Sequence, residues 1–299
     1  MGDLRELDLA AWVESAPAAH REFREAVHVV LDAITGSSEL RSKMIMKGGL
    51  LMAIRYNSTR FTRDIDFSTR ELYQFGEEAA LLRRIAEQLT LAVARTAYDI
   101  HCVLQRHKVQ PGGIDKTFPA LSLTVGYARP SNRRAFERLL AGQSPGVVAI
   151  DYSYNEAVYD MEVVKLGDGH ELMAYSLYNV LAEKLRSLLQ QPIRKRNRRQ
   201  DVYDLHLLMT HCAAFSEQER AQVYRMFVAS CRSRGIDPNE ASILDASVRS
   251  MAEHDYELLK GEVQGDIPSF QAAYEAVAGF YQALPWGRER GTIACNDSF

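Results

Sequence analysis

Three aspartates in this 299-residue chain are spaced so that they could share a divalent cation. Asp64 and Asp66 lie in Arg63-Asp-Ile-Asp-Phe-Ser68, where polar and apolar residues alternate as in a half-buried β-strand. Side chains two apart on a strand share a face, so both carboxylates point one way while Ile65 and Phe67 point into the core. Two like charges on one face repel unless a cation lies between them, and an all-oxygen donor set favours Mg2+. Taken alone, an Asp-x-Asp pair is equally compatible with a solvated strand face. Asp151, in Gly146-Val-Val-Ala-Ile-Asp-Tyr-Ser-Tyr154, offers the third carboxylate that a two-metal site needs. Val147 and Ala149 share its face, so Asp151 either ends a buried stripe at the surface or serves a site. A pair of Mg2+ ions about 3.5–4 Å apart activates an attacking hydroxyl and neutralises a leaving pyrophosphate. The protein then contributes mainly positioning and charge compensation.

A phosphate-bearing substrate needs a cradle. Gly48-Gly49 falls between the short apolar run 43–47 and a helical stretch at 50–56. Bare backbone N–H groups at such a junction approach phosphate oxygens, and the helix dipole favours negative charge there. A glycine pair is also compatible with a simple tight turn.

The elements that must hold these residues follow from periodicity. Residues 21–34 carry Phe23, Val27, Val30 and Leu31 at helical spacing, and 77–97 carry Leu81, Ile85, Leu89 and Val93 four apart. Strand patterns occupy 63–68, 98–105, 118–127, 146–154 and, more weakly, 158–165. From about residue 170 they give way to helical patterns at 176–190, 201–213, 216–233, 239–260 and 269–284, with a capping box at Ser216 and Glu219. The expected organisation is α/β (α+β). An N-terminal domain over 1–170, a mixed sheet with flanking helices, precedes a helical domain over 171–299 that completes the active-site cleft.

Composition narrows the class. The chain is 46% hydrophobic and 25% charged, average for a globular protein, and its net charge of −3 confines any nucleic-acid contact to a local patch. Cys102, Cys212, Cys231 and Cys295 have no zinc-ligand spacing, and the histidines show no pairing that suggests acid–base work. No apolar run reaches the roughly 18 residues of a membrane span, and the N-terminal residues lack a secretory pattern. These features predict a cytoplasmic chain without membrane contact.

Lys47-Gly48-Gly49 through Leu51 and Tyr56, followed by Arg60, Thr62, Asp64, Ile65, Asp66 and Phe67, resembles the first motif of the AbiEii/AbiGii toxin family, within the polymerase-β-type nucleotidyltransferase superfamily. A second matching stretch is Glu183-Lys184-Leu185, then a basic connection, then Arg199-Gln-Asp-Val-Tyr-Asp-Leu205. The likeness covers about residues 40–210. It implies active-site roles for Lys184 and Asp201 beside Asp64, Asp66 and Asp151, the last three as metal ligands. It also implies a nucleotide-binding set of Lys47, Gly48, Gly49, Arg63, Lys184 and Arg199. On their own, Lys184 is equally a snorkelling lysine at the edge of a buried stripe. Asp201 and Asp204 are equally first-turn helix acids, and Tyr203 is as compatible with packing as with a base platform. The run Arg194–Arg199 fits a solvated loop or a grip on phosphates.

The resemblance implies a Mg2+-dependent enzyme that moves a nucleoside monophosphate from an NTP to an acceptor and releases pyrophosphate. It would act as a bacterial toxin of a toxin–antitoxin or phage-defence system, with a cognate antitoxin as a partner. Relatives that modify the 3′ end of tRNA make tRNA the expected acceptor. A small molecule or protein acceptor, or a non-catalytic nucleotide-binding module, are the alternatives.

Overall fold

The strand built around Asp64 and Asp66 lies well inside an eight-stranded mixed sheet. The computed structural model describes residues 6–110, 117–167, 169–211 and 215–287. They fall into two units, Met1–Asn57 with Thr62–Tyr175, and Ser58–Phe61 with Ser176–Phe299.

The first unit contains β1 (Glu6–Leu7), α1 (Leu9–Glu14), α2 (Ala18–Thr35), α3 (Ser38–Lys43), β2 (Ile45–Lys47) and α4 (Gly48–Arg55). It continues through β3 (Asp64–Ser68), α5 (Glu78–Arg95), β4 (His101–Gln110), β5 (Ala120–Ala128), α6 (Arg133–Leu140), β6 (Gly146–Ser153), β7 (Met161–Leu166) and β8 (Glu171–Tyr175). The strand order is β1-β7-β8-β2-β3-β6-β5-β4. β3 runs parallel to β6, β2 to β8 and β1 to β7, whereas the β2–β3, β5–β6, β4–β5 and β7–β8 pairs are antiparallel.

The sheet is sealed on one face. Ile65, Phe67, Leu121, Leu123, Val125, Val148, Ile150 and Tyr152 are all at most 1% exposed, and α2 and α5 pack against the sheet. Alternate residues of the same strands, Asp64, Asp66, Ser122, Thr124 and Asp151, stay only partly buried on the other face. Strand alternation thus separates an apolar side from a polar one. Val147 belongs to the polar side and is 39% exposed, so Asp151 does not end a buried stripe.

Several boundaries differ from the periodicity. On α5 the buried stripe closes at Ala92 rather than Val93, because steps of four overrun the 3.6-residue turn and a step of three restores the face. β4 starts later and runs longer than 98–105. A bulge between Leu104 and Arg106 breaks its two-residue period. β8 lies beyond the point where strand patterns fade. It is only five residues long, with Leu172 and Ala174 fully buried, too short to stand out beside the following helix.

The second unit holds α7 (Leu177–Arg194), α8 (Arg199–His211), α9 (Glu217–Arg232), α10 (Ala246–Glu253) and α11 (Phe270–Gln282). The capping box at Ser216 and Glu219 starts α9. The single helix expected over 239–260 is instead α10 between two 3-10 turns. Asp245 restarts the helix by accepting from the N–H groups of Ser247 and Val248, and Asp255 follows α10 at φ 61°. Ser58–Phe61 joins this unit through bonds from Phe61 N to Glu262 O (2.7 Å) and from Thr59 Oγ1 to Gln264 O (2.8 Å). Cys102 and Cys231 are free and buried, while Cys212 and Cys295 lie outside the described residues. No described helix is long and apolar enough to cross a membrane.

Candidate active site

Asp66 and Asp151 are direct cross-strand partners in the parallel β3–β6 pair, and Asp64 stands one same-face position before Asp66, opposite Ala149. In-register residues of neighbouring strands project to the same side. One oxygen from each of Asp64, Asp66 and Asp151 accordingly lies within 4.8 Å of the other two. Three carboxylates held that close form a hard, all-oxygen donor set that suits Mg2+.

Two hydroxyls fix the orientation of these acids. Thr62 Oγ1 donates to Asp64 Oδ1 at 2.6 Å, and Ser122 Oγ donates to Asp151 Oδ1 at 2.7 Å. Each carboxylate keeps Oδ2 outside these bonds. Outer partners of this kind set how a ligand meets a metal.

The Gly48-Gly49 pair opens α4 directly after β2, with Lys47 at the N-cap position and no side-chain cap. Gly48 has φ +73°, in the left-handed region. A Cβ at Gly48 would stand 1.9 Å from Oδ2 of Asp66. The missing side chain therefore leaves room for the carboxylate and brings the first amides of α4 beside it. This is the close backbone approach that phosphate binding needs.

Lys47 is 7% exposed and pairs with Glu156. Glu156 also accepts from Ser68 Oγ at 3.1 Å, and Tyr175 OH donates to Ser68 Oγ at 3.0 Å. Glu156 has no motif signal in the sequence; only the fold sets it beside Lys47. Arg63 is exposed and precedes Asp64, at the alternate position shared with Ile65.

In the second unit, Lys184 Nζ donates to Asp201 Oδ1 at 3.1 Å and to Asp204 Oδ2 at 2.7 Å. Arg60 grips Asp204 with two bonds, Nε to Oδ1 at 3.3 Å and Nη2 to Oδ2 at 3.2 Å. Asp204 is fully buried. Burial opposes its charge, but Lys184 and Arg60 outweigh that and hold its carboxyl below the usual range. Burial likewise opposes the charge on Lys184, yet Asp204 and Asp201 keep its ammonium above its ordinary value. Sequence reasoning singled out Lys184 and Asp201 and left Asp204, the hub of this network, as a first-turn acid.

The basic run before α8 is not uniform. Arg194, Lys195 and Arg196 are exposed, with Lys195 left-handed at φ 52°. Arg198 Nε lies 3.4 Å from Asp201 Oδ2, and Arg199 Nη2 donates to Glu262 at 2.8 Å. The structure therefore gathers Asp64, Asp66, Asp151, Gly48 and Lys47 in the first unit, and Lys184, Asp201 and Asp204 in the second.

No curated protein matches the chain. JHP933 from Helicobacter pylori is similar over 90% of this chain and 93% of its own, at 13% identity and a TM-score of 0.48. A second Helicobacter pylori structure, described as a candidate nucleotidyltransferase, is similar over 90% of this chain and 96% of its own, at 12% identity and a TM-score of 0.47. The sequence profile of the nucleotidyl transferase AbiEii toxins, of type IV toxin–antitoxin systems, matches residues 29–276. That span takes in the three clustered aspartates, the glycine pair and the Lys184 network, and the chain belongs to the AbiEii nucleotidyl transferase toxin family.

Proposed function

We propose that this AbiEii toxin is a Mg2+-dependent nucleotidyltransferase that moves a nucleoside monophosphate from an NTP to RNA, at the 3′ end of tRNA, and releases pyrophosphate. The observation that carries this is the meeting of three carboxylates from the paired strands β3 and β6 beside a glycine that leaves room for one of them.

Asp64, Asp66 and Asp151 would hold the metal, and their hard oxygen donors fit it. Bound there, Mg2+ supplies charge neutralisation for pyrophosphate and a lowered pKa for the attacking hydroxyl. The chain's own residues do the positioning. The amides at the start of α4 bind triphosphate oxygens. Oδ2 of Asp151, left outside the bond from Ser122, orients the acceptor hydroxyl and takes up its proton. Lys184 serves as a positive point charge for phosphate, with Asp201 holding its ammonium. RNA is favoured as acceptor by the exposed cations Arg194, Lys195 and Arg196.

The test is incubation with each labelled NTP, Mg2+ and bulk tRNA. Label should move onto RNA. Label on a protein or small molecule would assign a different acceptor, and NTP binding without turnover would remove the enzyme from the proposal.

A further inference from the structure

The polar face of the sheet does not end at the acids. Cross-strand register extends it in two rows. One runs Lys47 (β2), Asp66 (β3), Asp151 (β6), Ser122 (β5) and Lys108 (β4). The other runs Asp64, Ala149, Thr124 and Arg106. Arg106 and Lys108 therefore project to the same side as the acids, two strands out from Asp151. At about 4.8 Å per strand their Cα atoms stand about 10 Å from β6, within reach of long side chains.

Both are exposed, and neither forms an ion pair with any described residue. Within the sheet, the residues between them and Asp151 are Ser122 and Thr124, whose side chains are short hydroxyls. The Gly48 amides, suited to the triphosphate, lie on the β2 side of Asp66. An acceptor whose hydroxyl meets Asp151 then approaches from the β5–β4 side. Two cations there suit an acceptor that carries regular negative charge.

We propose that Arg106 and Lys108 form a binding surface for the phosphodiester backbone of a nucleic-acid acceptor, leading its terminal hydroxyl over Ser122 and Thr124 to Asp151. This rests on the transferase assignment above and adds the acceptor-binding residues. Lysine and arginine on an edge strand also discourage strand addition, but that role requires no particular face and no affinity for RNA.

The experiment measures tRNA binding by fluorescence anisotropy without NTP, across a salt series, for wild type, Arg106→Ala, Lys108→Ala and the double variant. Arg83→Ala on α5 is the charge-matched control. Each β4 variant should lower the salt slope of binding by about 0.7–0.9, and the double variant should bind about tenfold more weakly at moderate salt. The control should match wild type, and Mg2+–NTP affinity should be unchanged throughout. Equal RNA affinity in the double variant and wild type, or no RNA binding by wild type, overturns the proposal while leaving nucleotide transfer to another acceptor intact. Failure of wild type to bind Mg2+–NTP sinks the transferase assignment, and the RNA measurement still reads the β4 surface directly. Unchanged thermal midpoints confirm that these exposed variants fold.

Discussion

The carboxylate of Asp66 occupies the space that a side chain on Gly48 would need, its Oδ2 lying 1.9 Å from the position of a Cβ. The glycine that opens α4 is thus fitted to the acid on β3, and the two form one feature.

Gly48→Ala should disturb both partners. A left-handed alanine costs about 1–2 kcal/mol, and the new methyl must also push the Asp66 carboxylate aside. Mn2+ affinity, measured by calorimetry, is expected to fall by about tenfold or more, as for other changes to the shell around a metal. Thermal unfolding should show the strain independently. Wild-type Mn2+ affinity in this variant would mean that Asp66 is not a ligand.

Three carboxylates within 4.8 Å of one another repel when no cation is bound. Mg2+ at about 100 times its dissociation constant should therefore stabilise the wild type by about 2.7 kcal/mol, seen as a rise in thermal midpoint. Asp66→Asn should abolish that rise and, without metal, melt no lower than wild type because one repulsion is gone. Its transfer activity should be lost. An Asp66→Asn protein still stabilised by Mg2+ would displace the metal from this site.

Ser122 and Thr62 would act on a bound metal through Asp151 and Asp64, to which their hydroxyls donate. Ser122→Ala and Thr62→Val should each weaken Mn2+ binding by about 10–100-fold, with little change in thermal midpoint, since both residues are only partly buried. Threonine at position 122, which keeps the hydroxyl, should restore binding. Unaltered metal affinity in Ser122→Ala would reduce its bond to a packing contact.

The Lys184–Asp204–Arg60 network makes stability depend on pH at both extremes. Asp204 has a lowered carboxyl pKa in the folded chain, so its contribution is present above the unfolded value, about 3.9, and is lost as pH falls through the folded value. Lys184 is shifted upward; its contribution is full below about 10.4 and is lost as pH rises through the folded value. Between those limits this network should give a flat profile. Asp204→Ala leaves Lys184 buried without its closest partner and is expected to cost about 3–5 kcal/mol at neutral pH. Denaturant unfolding across pH reads both effects. An acid limb unchanged in Asp204→Asn would remove Asp204 as its source.

Period-two alternation in residues 63–68 is enough to put Asp64 and Asp66 on one face, because strand geometry fixes side-chain direction residue by residue. The helical stripes of α2 and α5 and the shift from strands to helices along the chain are legible for the same local reason. The meeting of Asp66 with Asp151 is of another kind. It requires β3 to pair in parallel with a strand far along the chain, in the one register that buries Ile65 and Phe67 with Ile150 and Tyr152. Glu156 as the partner of Lys47, Arg60 as the second partner of Asp204, and Arg106 and Lys108 on the acid-bearing side follow from such distant pairings. The last two depend further on a bulge that resets which residues of β4 face that way. Local spacing carries side-chain direction, whereas neighbourhood comes from the joint burial of apolar faces that lie far apart in the chain.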